Sequence, residues 1–285
     1  MARRLLVSLA LATISLLAPV TGLYANPRVT APQASLSFRF DLHKGFMLIP
    51  GAVDGHRGHF MLDSGSPFEF LLNRESVHLP PGKPISSGSA ASGQAVTILK
   101  HPGKRAVQLG TRSYARKDML SGNFGFVEKE LGEPFLGFVG VGFFGAKTMT
   151  IDYRHRLVTV DQPAAKTIGT PIAVLRFALR DGVPEIPLEV GGIAVTGRID
   201  TGSQGFAVLT PATRARLLKS GSLSQTSKRS SGDLENVCYG QTCFSIPDLD
   251  VDVGESDQIT LGSSFLRQYR SVWRYSQHTI ELLQP

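Results

Sequence analysis

The sequence predicts an all-β protein made of two similar lobes that face each other. Two observations lead to this prediction. The 285-residue chain divides its apolar residues into short segments separated by 30 glycines and 17 prolines. That pattern is typical of strands joined by turns. A segment that carries a carboxylate also occurs twice, once in each half of the chain, which indicates two similar lobes.

The duplicated segment is a hairpin-like stretch that ends in an acidic turn. Residues 53–66 and 190–203 align without a gap, and they end in Asp63-Ser64-Gly65-Ser66 and Asp200-Thr201-Gly202-Ser203. The offset between the copies is 137 residues. A single Asp-hydroxyl-Gly triplet is common by chance, but a triplet repeated with its flanks is not.

A second, glycine-containing segment also occurs once in each half, after the acidic turn. Residues 259–266 match residues 138–144 when Gly262 is aligned with Gly140. Two landmarks that recur in the same sequence order indicate a true duplication of the chain.

The first half reads mainly as strands and tight turns. Alternating or apolar runs predict strands over 37–42, 46–49, 59–62 and 68–72, with a turn at Asp54-Gly55. Small residues dominate 82–95, which predicts a mobile loop or hairpin tip. A passive surface loop and a functional flap both remain open for this segment.

The middle of the chain and the second half follow a similar plan. A buried, glycine-rich turn is predicted within 136–147, a strand pair at 148–153 and 157–160, and a linker at 161–171. Strands are then predicted over 183–190, 193–199 and 205–209, a helix over 211–219 and a loose loop over 220–233.

Residues 1–25 predict a cleaved export signal. Arg3 and Arg4 precede an uncharged apolar run at 5–17, and small residues follow it. The run is too short for a typical membrane span, although an uncleaved anchor remains an alternative. The expected product is exported, periplasmic or secreted, without stable membrane insertion, and divided into lobes at 26–165 and 166–285.

Charge argues against a nucleic-acid partner. The formal net charge is +7, but the 30 basic residues are scattered and form no stripe with interleaved aromatic residues. A mildly basic exported protein can use this charge for solubility or for loose contact with anionic surfaces.

The two cysteines, Cys238 and Cys243, predict a disulfide that closes a short hairpin. Two free buried thiols remain the alternative. No metal site or other cofactor is predicted, because His56 and His59 have no evident third ligand and read as surface residues. Trp273 reads as core packing, and Asp152 and Glu185 as ordinary solvated or turn acids.

Two acids on equivalent turns point to water activation. Like charges about 3 Å apart resist double ionisation, so such a pair shares one proton. The ionised member can then act as a general base towards water while the other polarises a carbonyl. The sequence does not decide which aspartate holds the proton.

The chain resembles the aspartic peptidases, the pepsin-like and retropepsin-like superfamily, from about residue 38 to residue 283. The matching elements are the two acidic turns and the later glycines at 140 and 262. The resemblance implies an aspartic endopeptidase with two pseudo-symmetric, six-stranded-type β-barrel lobes and a substrate cleft between them. It also implies a peptide or protein substrate and a monomer as the competent form. Its implied site consists of the catalytic Asp63 and Asp200 and the supporting Ser64, Gly65, Ser66, Thr201, Gly202 and Ser203.

The resemblance also implies individual roles. The hydroxyls of Ser64 and Thr201 would donate hydrogen bonds across the lobe boundary, and those of Ser66 and Ser203 would bond the outer carboxylate oxygens. Gly65 and Gly202 would allow the sharp turn and keep bulk out of the junction.

Departures from the family keep other functions open. Residues 82–99 contain no tyrosine, whereas pepsin-like enzymes usually carry one on the flap, and Tyr114 lies too late in the chain. A two-lobed module that binds peptides or cell-envelope components without turnover is therefore an alternative. A glycosidase with two carboxylates ranks low because equivalent turns place the acids too close together. Glu69 reads as a solvated strand residue.

Overall fold

The computed structural model describes residues 36–90, 94–161, 169–225 and 231–285. It is mostly β, with 57% strand and 12% helix. This confirms the predicted predominance of strands. The predicted export signal and most of the predicted linker lie outside the described residues.

Strands and helices are numbered here along the chain. The first half contains β1 (Leu36–Arg39), β2 (Asp41–His43), β3 (Phe46–Val53), β4 (His56–Asp63), β5 (Phe70–Asn73), β6 (Lys83–Ser89), β7 (Ala95–Lys100), β8 (Lys104–Leu109), β9 (Arg112–Lys117), β10 (Leu120–Gly122), α1 (Gly125–Leu131), β11 (Phe135–Gly140), α2 (Val141–Phe144), β12 (Thr148–Asp152) and β13 (Leu157–Asp161).

The second half has a similar succession of short elements. It contains β14 (Ala173–Arg176), β15 (Ala178–Arg180), β16 (Val183–Val190), β17 (Ile193–Ile199), β18 (Phe206–Leu209), α3 (Pro211–Ser220), β19 (Leu223–Gln225), β20 (Ser231–Tyr239), β21 (Thr242–Val253), β22 (Gln258–Leu261), α4 (Ser263–Leu266), β23 (Arg270–Arg274), a 3₁₀ turn (Tyr275–Gln277) and β24 (Thr279–Leu283).

Several local predictions are confirmed and three are wrong. The hairpins around Asp54-Gly55 and Gly191-Gly192, and α3, are where the sequence places them. Most of the segment 82–95, predicted as a mobile loop or hairpin tip, is strand β6, which pairs with β7. The segment predicted as a buried glycine-rich turn is instead a buried strand, β11, followed by α2. The predicted loose loop at 220–233 includes β19 and the start of β20. In these cases, sheet pairing overrides the local signal of small residues.

The described strands form three sheets. β2–β11 make a ten-stranded sheet from the first half, and β15–β22 make an eight-stranded sheet from the second. The third sheet has six strands in the order β1-β13-β12-β23-β24-β14, so each half of the chain contributes three. At its centre, β12 pairs with β23 in an antiparallel register that places Met149 opposite Trp273. This shared sheet joins the two halves.

Parallel strand pairs set the position of both acidic turns. β4 runs parallel to β11, with Asp63 opposite Gly140. β17 runs parallel to β22, with Ile199 opposite Leu261. Each acidic turn therefore leaves its sheet beside the glycine-containing element that the sequence repeats.

A continuous apolar core fills the sheets. Trp273 is fully buried, as predicted, and its ring stacks 6.1 Å from that of Tyr275. A smaller cluster beneath the β6–β7 hairpin includes Val96, Ile98 and Phe124. Among the described residues, no helix is both long and apolar enough to cross a membrane.

The disulfide prediction is confirmed. Cys238 and Cys243 are bonded across the β20–β21 hairpin, five residues apart in sequence. The alternative of two free thiols is thereby excluded.

Candidate active site

Asp63 and Asp200 occupy equivalent places at the ends of two strands. Asp63 is the last residue of β4, and Asp200 directly follows β17. Both side chains are buried. Within each turn the glycine N–H donates to the Oδ1 atom of its own aspartate, from Gly65 to Asp63 and from Gly202 to Asp200, both at 2.8 Å.

The two carboxyl groups meet across the boundary between the halves. Their interaction raises the pKa of Asp63, and the buried Oδ2 atom of Asp63 accepts from no donor among the described residues. A Cβ atom added to Gly65 would lie 2.8 Å from Oδ2 of Asp200, and one added to Gly202 would lie 2.6 Å from Oδ1 of Asp63. Each carboxyl group therefore packs on the glycine of the opposite turn, and no larger residue fits there without displacing it.

Ser64 and Thr201 interlock beneath the acids. The backbone N–H of Ser64 donates to Oγ1 of Thr201 at 2.9 Å, and the N–H of Thr201 donates to Oγ of Ser64 at the same distance. The hydroxyl of Thr201 donates to Leu62 O at 3.0 Å, and that of Ser64 to Ile199 O at 3.4 Å. The predicted cross-boundary bonds of these two hydroxyls are therefore present.

The residues that follow the repeated glycines, Gly140 and Gly262, donate backbone hydrogen bonds to the two acidic turns. Val141 N–H donates to Ser66 O at 2.9 Å, and Ser263 N–H donates to Ser203 O at 2.8 Å. The side chains of Ser66 and Ser203 do not follow the family pattern. Oγ of Ser203 accepts from Gly205 N–H at 3.0 Å, and Oγ of Ser66 has no hydrogen-bond partner among the described residues.

Burial raises the pKa of both aspartates. For Asp63 the negative charge of Asp200 and the hydrogen bond to it add to the effect of burial, so its pKa rises well above the ordinary range. For Asp200 burial is again the largest cause, while the Gly202 N–H, the bond with Asp63 and the positive charge of Arg198 oppose it. These are the conditions under which two carboxyl groups hold one proton between them.

Two residues near the acids were not predicted from sequence as site residues. Burial raises the pKa of Tyr275, and the charges of Asp200 and Asp63 raise it further. The only sequence signal for Tyr275 is its alignment with Tyr153 in the duplication. Arg198 lies two residues before Asp200 and pairs with Glu185 at 3.5 Å, so Glu185 is more than a solvated acid.

The other residues considered for chemistry make ordinary structural contacts. Glu69 accepts from Arg116 Nε at 2.7 Å, and His59 lies 3.3 Å from a carboxylate oxygen of Glu133. The ring of Tyr114 packs 5.3 Å from that of Phe143. Among the described residues, no group of three or more His, Cys, Asp and Glu side chains is arranged to hold a metal ion.

In comparison with known proteins, no family model matches the chain and no curated protein matches it in sequence. The assignment of a function therefore depends on the geometry of the site.

Proposed function

We propose that the protein is an aspartic endopeptidase in which Asp63 and Asp200 form the catalytic dyad. The observation that carries this proposal is the pair of buried carboxyl groups, each held by an equivalent turn and packed on the glycine of the opposite turn. A pair that shares one proton contains both a general base and a general acid at the same pH.

In the proposed reaction the ionised carboxylate takes a proton from a water molecule, which attacks the carbonyl carbon of the scissile peptide. The protonated carboxyl group donates its proton to the carbonyl oxygen. The tetrahedral intermediate, a gem-diol, then collapses and the C–N bond breaks. The leaving amine takes the proton that the base received, and one hydroxyl of the intermediate returns its proton to the carboxylate that had donated one. The dyad returns to its starting state without a covalent intermediate.

The proposal also includes the arrangement of the chain as two similar lobes. Two pseudo-symmetric acid-protease-like lobes are supported by the matched contacts at the 137-residue offset, including the paired hydroxyls of Ser64 and Thr201. A single chain would then supply both aspartates, and a monomer would be competent. Export to the periplasm or the medium is supported by the disulfide.

A peptide-cleavage assay tests the proposed activity. The chain without residues 1–25 is incubated with a diverse peptide pool between pH 3 and 7, and the products are identified by mass spectrometry. Asp63→Asn and Asp200→Asn are each expected to lower the cleavage rate by at least about 10²-fold, because either change removes the shared proton or the base. An inhibitor that mimics the tetrahedral intermediate should block the wild-type protein.

Asp118→Asn is the matched control. Asp118 is an exposed turn aspartate that pairs with Lys100 at 3.5 Å, so the same chemical change there should leave the rate unaltered. Full turnover by either dyad variant, with its fold intact, would exclude the proposed mechanism.

A binding module without turnover is the second candidate. One observation favours it: Tyr114 packs among Phe70 and Phe143 in an aromatic cluster, and residues 82–99 contain no tyrosine. Peptides retained by the wild-type protein without any cleavage across the pH range would favour this function over the peptidase.

A further inference from the structure

Two hairpin turns reach from one half of the molecule to the acidic turn of the other half. The β2–β3 turn contains Lys44-Gly45, and the β15–β16 turn contains Asp181-Gly182. Gly45 and Gly182 stand at the same 137-residue offset as the aspartates. Their φ angles are also alike, at +83° and +81°.

The first turn contacts the loop that follows Asp200. A Cβ atom on Gly45 would lie 3.2 Å from Cγ of Gln204 and 3.1 Å from Oγ of Ser263. The side-chain amide of Gln204 also donates a hydrogen bond to Lys44 O. Gln204 is the fourth residue after Asp200, so this contact lies one residue beyond the Asp-Thr-Gly-Ser turn.

The second turn makes the reciprocal contact. A Cβ atom on Gly182 would lie 2.8 Å from Cβ of Pro67. Pro67 is the fourth residue after Asp63 and stands opposite Gln204 in the duplication. Each aspartate loop is thus touched at the same position by a turn from the other half.

Both turns are fixed to rigid parts of their own halves. In the first, His43 Nε2 lies 2.9 Å from Leu131 O, and Lys44 Nζ donates to Glu130 O, so the turn is tied to the C-terminal end of α1. In the second, Glu185 of β16 lies 3.9 Å from Nε of Arg180, which directly precedes the turn, and 3.5 Å from Nε of Arg198 in β17, so the strands beside the turn are tied to β17. A turn anchored in this way can resist displacement of the loop that it touches.

We propose that these two turns are positioning elements that hold the opposite aspartate loops in register, so that each carboxyl group stays packed on the glycine of the other acidic turn. This inference rests on the proposed function. It assigns the positioning role to Gly45 and Gly182, which lie outside both acidic turns. A shift of about 1 Å in reacting groups lowers turnover by roughly 10²-fold, so small movements of either loop matter.

The chain offers matched controls. Gly55 and Gly192 also have positive φ angles, +87° and +78°, at hairpin turns, and an added Cβ would meet nothing within 4 Å. Alanine at all four positions introduces similar backbone strain. Only at Gly45 and Gly182 does it also press on an aspartate loop.

We expect Gly45→Ala and Gly182→Ala to lower kcat for peptide cleavage by about 10²-fold with little change in KM. Gly55→Ala and Gly192→Ala should keep kcat near the wild-type value. Pro67→Gly removes the atom that the new methyl group of Gly182→Ala would strike, so the double variant should recover most of the lost kcat. Gln204→Ala removes the first contact without backbone strain and should also lower kcat, which keeps the test valid if Gly45→Ala fails to fold.

A second readout separates this inference from the proposed function. The pH dependence of the unfolding free energy reports the pKa of the dyad without any turnover. Variants that separate the carboxyl groups should move this dependence to lower pH, because the like charge of Asp200 then raises the pKa of Asp63 less. The controls should not move it.

The outcomes are distinct. If the wild-type protein cleaves no peptide, the proposed function fails, and the pH dependence alone decides whether the turns position the dyad. If the contact variants and the control variants shift the pH dependence equally, the inference is overturned whatever the activity.

Discussion

Ser64 and Thr201 exchange hydrogen bonds reciprocally across the boundary between the two halves, with both N–H···Oγ distances at 2.9 Å. Each hydroxyl accepts from the other residue's backbone and donates to the strand that precedes the other aspartate. Neither acidic turn can move without breaking bonds of the other turn. The two carboxyl groups therefore behave as one unit whose geometry is fixed by buried backbone.

The first prediction concerns the Thr201 hydroxyl. Thr201→Val leaves the buried Ser64 N–H and Leu62 C=O without this partner, and each such loss costs about 1–3 kcal/mol. The unfolding free energy should therefore fall by about 2–6 kcal/mol, measured by urea denaturation. Thr201→Ser keeps the oxygen and should stay close to wild type. A Val variant as stable as the wild type would show that this bond contributes nothing.

The second prediction concerns the pH dependence of stability. Because the folded-state pKa of Asp63 lies above the unfolded value of about 3.9, the folded protein retains a proton that the unfolded chain releases. The resulting stability is complete below about pH 4 and is lost as pH rises through the folded-state pKa, at about 1.4 kcal/mol per pH unit for one proton.

Asp63→Asn should make this slope shallower, since the amide does not titrate while Asp200, whose pKa burial also raises, still does. Urea denaturation of both proteins between pH 3 and 8 measures the difference between them. Asp118→Asn is the control and should keep the wild-type slope. Parallel curves for the wild type and Asp63→Asn would contradict a raised pKa at this position.

The third prediction concerns the disulfide. The loop between Cys238 and Cys243 is short, so chain-entropy arguments give the bond about 2 kcal/mol. Replacing both residues with serine should lower the unfolding free energy by no more than about this amount. Peptide cleavage should persist, because the bond closes the tip of the β20–β21 hairpin. Loss of activity in a folded double-serine variant would contradict this local role.

The site was more predictable from sequence than the way the halves are joined. Asp63 and Asp200 could be identified because each is followed directly by a hydroxyl residue and a glycine. The sharp turn and the close approach of the opposite carboxyl group require this glycine, and a pattern of adjacent residues is visible in the sequence. The position of Tyr275 near the acids depends on contacts between distant parts of the chain. Apolar periodicity predicts strands but does not specify their partners.

The pairing of β12 with β23 also could not be predicted from the sequence. Each strand reads as an ordinary alternating segment, and their partnership joins residues more than 100 positions apart, such as Thr148 and Arg274. The strand β11 was mistaken for a turn for a related reason. Its glycines at 137 and 140 favour turns locally, yet pairing with β4 and β5 keeps the segment extended.

The shared six-stranded sheet gives the last prediction. A fragment of residues 26–161 retains β1, β13 and β12 but loses β23, which leaves β12 as an unpaired edge. Met149, which is buried opposite Trp273 in the whole protein, would lose this partner. Exposed apolar edge strands promote association, so the fragment alone should aggregate or lack fixed tertiary structure.

Mixing it with a fragment of residues 162–285 should restore the sheet. Near-ultraviolet circular dichroism and size-exclusion chromatography of each fragment and of the mixture measure this recovery. A cooperative unfolding transition in the isolated 26–161 fragment would show instead that the first half folds without the strands of the second.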